Sequence, residues 1–465
     1  MPSGELLAQL QAIVGRDHAF DDAERCAAFE RDATGRFGTR GLGVVRPGDA
    51  GEVAQVLRLC VARDVAVVPQ GGNTGLSGGG VPQPGELVLS LARLNRIEDP
   101  DPDSHQLVVG AGATLEAVQR RATDAGLEFP LDFPARGSAT IGGMVATNAA
   151  GSAAMRWGSM RAHVRGMQVV LADGRTLTRI GGVPKDNAGF DWPALVTGSE
   201  GTLAVVTAVQ LQLRPRTGDR VAALIGVADY AVAVRLVSAL RGALGDDLEA
   251  ADFADRVSVE TVLAHRELRE PLATPFGVYL FLTVLGADAV LERLVGVLDE
   301  AGVADAAVAV ADDDAGRTAL WAYREHVNES LRGLGVVQKY DVSLPLRAID
   351  RFATEAARRL RTEDAHARLF LFGHLGDGNL HVNVVSRGPH GAHGKRIDSA
   401  VLSLVGELGG SIDAEHGVGV SKRDHLGRTR GPDEISTMVD LKRALDPHGV
   451  LNPGRVLRET VRDAS

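Results

Sequence analysis

The sequence predicts a mixed α+β protein of two domains, with a C-terminal segment that returns to the first. Three observations predict it. The chain has 465 residues, and at about 100–200 residues per domain that is room for more than one core. Its first half alternates short apolar runs with amphipathic stretches, the pattern of strands interleaved with helices. After the segment Leu213-Arg-Pro-Arg-Thr-Gly218 the style changes to longer helices between strands, which puts a domain boundary near residue 215.

In the first half the runs Val65–Val68, Leu87–Leu91, Leu107–Val109, Val169–Leu171 and Leu203–Leu213 read as strands, and Glu52–Arg63 and Leu115–Ala125 as helices. Asp173-Gly174 between two β-prone runs reads as a hairpin turn, so part of the sheet is antiparallel. In the second half Tyr230–Arg241, Ala289–Ala301, Arg317–Leu334 and Ile349–Leu360 are helical in pattern, with strands at Val278–Val284, Val336–Leu344 and Leu369–Phe372. A last helix, Pro432–Leu445, precedes DPHGVLNPGRVL, whose Asn, Pro and Gly imply an ordered return loop. The expected domains are 1–214, 215–430 and a return segment, 431–465.

Composition narrows the function classes. Hydrophobic residues make up 45%, ordinary globular usage that excludes disorder and fibrous repeats. Fifty basic against 60 acidic residues give a net charge of −10, with no basic block to track a phosphate backbone, so nucleic acid is excluded as a partner. Cys26 and Cys60 lie far apart, outside any Cys-x-x-Cys pattern. They build neither a disulfide framework nor a thiolate metal site, and a reducing compartment fits. The first residues lack a basic stretch followed by an apolar run, so no signal peptide is read. The charge-free stretches Val65–Gly85 and Gly137–Met155 are broken by Gly, Asn and Ser and cannot span a bilayer. A soluble cytoplasmic protein without a transmembrane segment is expected.

Glycine is concentrated. Of 56 glycines, 22 fall in the 131 residues Gly71–Gly201, which gives the excess over the usual roughly 7% an address. Pro69-Gln-Gly-Gly-Asn-Thr-Gly-Leu-Ser-Gly-Gly-Gly80 follows an apolar run, and such a loop lets successive N–H groups converge on an anion such as a diphosphate. It has neither the Gly-Lys-Ser/Thr ending of a P-loop nor the Gly-x-Gly-x-x-Gly of the Rossmann turn. Gly137-Ser-Ala-Thr-Ile-Gly-Gly-Met-Val-Ala-Thr-Asn-Ala-Ala-Gly151 repeats the chemistry, and two such tracts suit a dinucleotide. Thr197-Gly-Ser-Glu-Gly201 adds another small-residue turn and offers Glu200 to a ribose hydroxyl or nucleobase. A flexible surface loop is the competing reading of the first tract taken alone.

Eight of the 13 histidines fall between His366 and His448. In Gly373-His-Leu-Gly-Asp-Gly-Asn-Leu-His-Val-Asn383, a two-residue turn at Asp377-Gly378 would set His374 opposite His381, close enough to chelate one metal ion. Period-two alternation puts Asn383 on the face of His381, with Leu375 and Leu380 turned to the core. In Ser411-Ile-Asp-Ala-Glu-His-Gly-Val-Gly419, Glu415 can complete a set of two histidines and a carboxylate that leaves a position open for substrate, and His416 can act as a base. A surface hairpin with two ordinary histidines is the competing reading. His390 and His393 read as loop residues without a role.

PQGGNTG, ATIGGMVATNAAG, KDNAGFDWPALVTGSEGTLAVVT and LNPGR together resemble the FAD-linked oxidase family of the vanillyl-alcohol oxidase and p-cresol methylhydroxylase type, over nearly the whole chain. The resemblance implies a two-part, non-Rossmann FAD-binding domain and an α+β substrate (cap) domain with an antiparallel sheet. It implies that Pro69, Gly71, Gly72, Asn73, Thr74 and Gly75 line the diphosphate, that Gly137, Ser138, Thr140, Gly142 and Asn148 lie along FAD, that Glu200 and Gly201 approach it, and that Asn452 approaches the flavin. No sign of covalent flavin attachment is present, so dissociable FAD is expected. GHLGDGNLH followed by AEHGVG resembles the D-2-hydroxyacid dehydrogenase branch, which includes D-2-hydroxyglutarate, D-lactate and glycolate enzymes. That implies Zn2+ on His374, His381 and Glu415, with His416 as base and substrate contact and Asn383 as a second contact. Arg324, Asn328 and Lys339 would otherwise read as a solvated helix face and a strand-end lysine; the resemblance puts them on the substrate's distal carboxylate. Asn328 stands where the 2-hydroxyglutarate enzymes have threonine, a departure that bears on diacid preference.

The reaction these readings imply is oxidation of a small-molecule D-2-hydroxy acid, D-2-hydroxyglutarate first, by hydride transfer to flavin N5. Reoxidation falls to an electron acceptor protein of the electron-transfer flavoprotein kind or to a quinone-linked carrier, and a homodimer is compatible with it. The alternatives are a D-lactate or glycolate dehydrogenase of the same family and, from another class, a metal-dependent hydrolase or metal-binding module without flavin.

Overall fold

A computed structural model of the chain describes residues 4–458 except 182, 184, 287, 336 and 387–390; His390 lies outside the described residues. The chain divides into two compact units. The first takes the chain up to Gly151, Trp157–Arg216 and the segment beginning at Glu415; the second takes Ser152–Arg156 and Thr217–Ala414.

In the first unit β1 (Ala19–Phe20), β2 (Gly43–Val45), β3 (Ala66–Gln70) and β4 (Glu86–Ser90) form a sheet in the order β1-β2-β4-β3. β4 pairs in parallel with both β2 and β3, which requires a crossover between strands. The helix Ala50–Ala62 lies on that path, with Val53, Val56, Leu57 and Cys60 buried at helical spacing. It starts where it does because the Asp49 carboxylate accepts the Glu52 N–H at 2.8 Å. β5 (Gln106–Gly110), β6 (Leu127–Glu128), β7 (Val164–Val170), β8 (Thr176–Arg179), β9 (Val205–Gln212) and β10 (Arg214–Pro215) follow. They make an antiparallel sheet in the order β5-β9-β7-β8 and a small β6–β10 ribbon. The turn between β7 and β8 is the one read at Asp173-Gly174; Gly174 has φ +78°, a region that glycine enters without strain.

The C-terminal segment returns to this unit through backbone pairing. Val67 donates to the Val450 carbonyl at 2.7 Å and Asn452 to the Val67 carbonyl at 2.8 Å. A buried Lys442–Asp446 pair secures it, the ammonium also donating to the carbonyls of Thr202 and Leu451, each at 2.7 Å. Buried charges are tolerated when every donor has such a partner. The unit claims the chain from Glu415, well before the expected 431. The reason is hydrogen bonding that composition does not display: the Val420 N–H donates to the Ser77 carbonyl at 2.9 Å, inside the glycine-rich loop.

The second unit is one antiparallel sheet of β11 (Arg220–Val227), β12 (Leu248–Asp255), β13 (Val278–Leu285), β14 (Val308–Ala311), β15 (Val337–Ser343), β16 (Arg368–His374) and β17 (Asn379–Val385), in the order β14-β11-β13-β12-β16-β17-β15. One face packs its apolar residues against the helices Tyr230–Leu244, Asp288–Glu300, Ile349–Glu363 and Gly391–Glu407. The other meets Arg256–Arg266 and Asp314–Glu325. The helix expected over Arg317–Leu334 is interrupted at His326, and a new turn runs Val327–Ser330. His393 lies in the helix Gly391–Glu407 rather than in a loop. Among the described residues no helix is long and apolar enough to cross a membrane.

One buried group in the first unit gives stability a pH dependence. His163 is fully buried edge-on to Phe129, with ring centroids 5.4 Å apart. Burial, reinforced by Arg214 and Arg165 and opposed by a backbone hydrogen bond at Trp157, pushes its imidazole down to about 4. The unfolded chain takes up this proton near pH 6.5 and the native one does not, so stability is lost as pH falls through that window. The loss at His163 is on the order of 3 kcal/mol. The urea midpoint of His163→Phe is expected to fall less steeply than wild type between pH 6.5 and 4; parallel curves would contradict the assignment.

Candidate active site

Period-two alternation gathers the chemistry of the second unit on one face of its sheet: Asp252 on β12, Phe372 and His374 on β16, His381 and Asn383 on β17, and Lys339 and Asp341 on β15. The register of the histidine hairpin differs from the expected one. His374 pairs with Asn379 and Phe372 with His381, around a four-residue loop, 375–378. The tight turn at Asp377-Gly378 does not form because the Gly376 N–H donates to the Ala251 carbonyl at 2.9 Å, the Gly378 N–H to the His374 carbonyl at 3.1 Å, and the Asp377 carboxylate accepts the Asn379 N–H at 3.0 Å. The two histidines become diagonal neighbours on the same face, their ring centroids 5.3 Å apart.

Each ring is backed by a buried carboxylate. His374 Nδ1 lies 2.7 Å from Asp252 Oδ1, and His381 Nδ1 lies 3.4 Å from Asp341 Oδ1. A carboxylate on Nδ1 fixes the tautomer that offers Nε2 to a metal. Burial pushes the His381 imidazole down to about 4 despite Asp341 opposing it, so the ring is neutral at pH 7, the form that ligates. The residues therefore fit a metal ion. Arg324 reaches Asp252 Oδ2 with Nε at 3.1 Å and lies over the Phe372 ring, 4.9 Å from its centre. Lys339 Nζ donates to Asn328 Oδ1 at 3.1 Å. Asn383 faces Lys339 across the β15–β17 ladder; its amide nitrogen donates to the His381 carbonyl at 3.3 Å, and its oxygen is buried without a hydrogen-bond partner among the described residues.

The first unit packs the glycine-rich tracts against each other. A Cβ at Gly71 would fall 2.3 Å from Thr140 Oγ1, one at Gly72 1.8 Å from the Ser138 carbonyl oxygen, and one at Gly142 2.6 Å from the Ala111 Cβ. Gly201 abuts Pro69, whose Cγ would lie 3.4 Å from an added Cβ. By contrast a Cβ at Gly75 would meet nothing within 4 Å, and one at Gly137 only Glu116 at 3.5 Å. Within the second tract the expected loop contains a helix, Ile141–Thr147. Three polar atoms are buried there without a partner among the described residues: Thr140 Oγ1, Ser199 Oγ and Asn452 Oδ1. Buried polar groups are normally satisfied, and a polar cofactor laid along these tracts would satisfy them.

Three of the expected cofactor residues commit their side chains elsewhere. Asn73 donates to the Arg31 carbonyl at 2.7 Å, and Asn148 Oδ1 accepts from Ser159 Oγ and the Arg161 N–H, both at 2.9 Å. Glu200, expected on a ribose or base, instead accepts the N–H groups of Val418 and Gly419 at 2.7 and 2.8 Å. Its carboxylate holds the backbone of the motif that carries Glu415 and His416, which sit 3.6 Å apart. The Asn452 side chain donates to the carbonyls of Gly79 and Glu200 at 2.9 and 2.7 Å, so the C-terminal loop is knotted to the same point. Thr74 has no side-chain bond among those described.

Residues 42–179 match the family described as FAD binding domain, and residues 217–456 match FAD linked oxidases, C-terminal domain. The chain belongs to the FAD-linked oxidase family. Within this family it is 38% identical to the mitochondrial D-2-hydroxyglutarate dehydrogenase of Bos taurus over 419 residues, 89% of this chain and 76% of that one. It is 36% identical to the D-2-hydroxyglutarate dehydrogenase of Xanthomonas citri pv. viticola over 438 residues, 92% of each chain. Its fold is similar to p-cresol methylhydroxylase with substrate bound, with a TM-score of 0.74 at 18% identity, covering 97% of this chain and 96% of that one. The FAD-linked oxidase chain is thus an FAD-dependent enzyme of the fold its motifs resembled, and the reading of a metal module without flavin falls away.

Sequence reading missed Asp252 and Asp341, and gave Glu200 a different task. For Glu200→Gln, an amide that accepts one N–H and presents its own NH2 to the other, amide exchange of the peptide spanning 415–420 is expected to rise about tenfold or more, with FAD content unchanged. Unaltered exchange would contradict the role of the carboxylate.

Proposed function

We propose that the protein oxidises a D-2-hydroxy acid, foremost D-2-hydroxyglutarate, to the 2-oxo acid, using FAD and a Zn2+ ion. The observation that carries the reading is the sheet face on which two carboxylate-backed histidines lie beside Arg324. A ligand pair for a metal next to a guanidinium suits a substrate with a carboxylate and hydroxyl at one end and a second carboxylate at the other. The motifs supply two histidines, His374 and His381, and the carboxylate of Glu415, the donor types of a catalytic zinc set that keeps a position open. The identity to D-2-hydroxyglutarate dehydrogenases supports the substrate class.

When bound, FAD supplies a hydride acceptor and zinc a Lewis acid for the C2 oxygen. The chain does the rest. Arg324 and Lys339 hold the distal carboxylate and so fix where C2 lies along the sheet face that carries the two histidines. Asn383, whose amide oxygen is buried without a hydrogen-bond partner among the described residues, is a second substrate contact. The proton on the C2 oxygen passes to the imidazole of His416 as the C2–H bond breaks. The acceptor that would take the electrons onward is an electron-transfer flavoprotein or a quinone-linked carrier. The Asn328–Lys339 hydrogen bond favours a second reading, a D-lactate or glycolate dehydrogenase, since it engages the cation that a diacid needs.

A panel of D- and L-2-hydroxy acids with an artificial electron acceptor, with and without chelator, tests the proposal. Activity is expected on the D-diacid, lost with chelator and restored by zinc. His416→Ala is expected to keep its flavin spectrum and zinc content while turnover falls at least about 100-fold; normal turnover would remove His416 as the base. Arg324→Ala is expected to weaken the diacid far more than D-lactate, and equal losses would favour the second reading.

A further inference from the structure

We infer that Asp252 is a positioning residue that couples recognition of the substrate's far carboxylate to the metal-ligating end of the site. The inference rests on the function proposed above and adds to it a residue and a coupling. Asp252 sits on β12 directly across the ladder from His374 and is only 2% exposed. Its two oxygens are divided: Oδ1 takes His374 Nδ1 at 2.7 Å and Oδ2 faces Arg324 Nε at 3.1 Å. A carboxylate this deep is costly unless charged and hydrogen-bonding partners hold it, and both partners here belong to the proposed site.

The division has two consequences. Arg324 pairs with Asp252 at its Nε edge, an ion pair without hydrogen-bond geometry, and is seated over Phe372, so Asp252 meets the guanidinium away from the Nη fork. A lysine at 324 has one nitrogen and cannot both hold Asp252 and present a fork to a substrate carboxylate. Second, any displacement of Arg324 towards a bound diacid acts on the carboxylate that fixes the His374 ring. Binding at the two ends is then linked, and linkage is reciprocal: a diacid strengthens metal binding by the factor by which metal strengthens diacid binding. Asp341 provides the contrast, because it backs His381 and takes the Asn379 amide at 2.7 Å, while Arg324 pairs with Asp252.

The test uses the full-length FAD-loaded protein and two readouts: zinc affinity by competition with a chromophoric chelator, and the ratio of kcat/KM for D-2-hydroxyglutarate over D-lactate at saturating zinc. In wild type, the 2-oxoglutarate effect, the factor by which saturating 2-oxoglutarate tightens zinc beyond what saturating pyruvate does through the metal-binding end the two share, is expected to be at least about fivefold. Asp252→Asn is expected to weaken zinc about 10–100-fold, to lower the diacid ratio about tenfold or more, and to abolish the 2-oxoglutarate effect. Asp341→Asn is expected to weaken zinc and leave the ratio unchanged. Arg324→Lys, which keeps the charge and touches no ligand nitrogen, is expected to weaken zinc severalfold, and it carries the test should Asp252→Asn not fold. Persistence of the 2-oxoglutarate effect or of the wild-type ratio in Asp252→Asn, or unchanged zinc affinity in Arg324→Lys, overturns the coupling. A wild-type protein that binds no zinc, or turns over no diacid, overturns the function reading itself and the coupling with it, and it does so before any variant is measured.

Discussion

Antiparallel strands turn alternate side chains to opposite faces, and in the second unit that period decides where ionisable groups can lie. Leu371, Leu380, Val382 and Val342 fill one face and pack under the helices. The intervening positions carry Asp252, His374, His381, Asp341 and Lys339. Without helices over its whole area, the second face can hold polar groups at a depth where water is scarce, provided they satisfy each other. The carboxylate–histidine contacts are that satisfaction. They are also what turns two histidines on a hairpin into rings of fixed tautomer.

The same demand explains the glycine-rich unit in a different way. Gly71, Gly72 and Gly142 are glycine because the backbone or side chain of a neighbouring segment occupies the space of a Cβ. The bed is thus built by the close approach of two tracts, and the cofactor is served by the surface that results. Asn73, Asn148 and Glu200 all have positive φ, at 54°, 52° and 51°, a conformation uncommon for residues other than glycine. Their side-chain bonds to nearby backbone hold those turns. Polar side chains in a cofactor motif can therefore shape the loop instead of contacting the ligand.

Much of this was legible from the residues alone. The strands Ala66–Gln70 and Gln106–Gly110, the last helix and the returning C-terminal loop follow from apolar period and from Asn, Pro and Gly punctuation. The histidine pair was legible because both rings lie on one strand hairpin. Its register was not, since the Gly376–Ala251 bond that opens the loop involves a strand far away in the sequence. β12, with the sequence LEAADFAD, hid for a related reason. Its alanines and acids have low strand propensity, and only central placement in the sheet, between β13 and β16, makes them buried. Asp252 was invisible with it, as was the task of Glu200, whose partners lie more than 200 residues on.

The segment 415–421 shows how far such distant bonds carry function. Gly417 and Gly419 have φ of +85° and +51°, and a Cβ at Gly419 would fall 2.2 Å from the Ser77 carbonyl oxygen. These glycines bring the main chain down onto the glycine-rich loop, where Glu200 takes two successive amides and Ser77 the next. The base proposed at His416 would have to be held within a fraction of an ångström of its proton to be effective, and a histidine in a free loop would not be. What fixes His416 is thus the backbone on its C-terminal side, pinned by a carboxylate and a carbonyl of the unit that also builds the flavin bed. The motif AEHGVG reads as chemistry at its first half and as anchorage at its second.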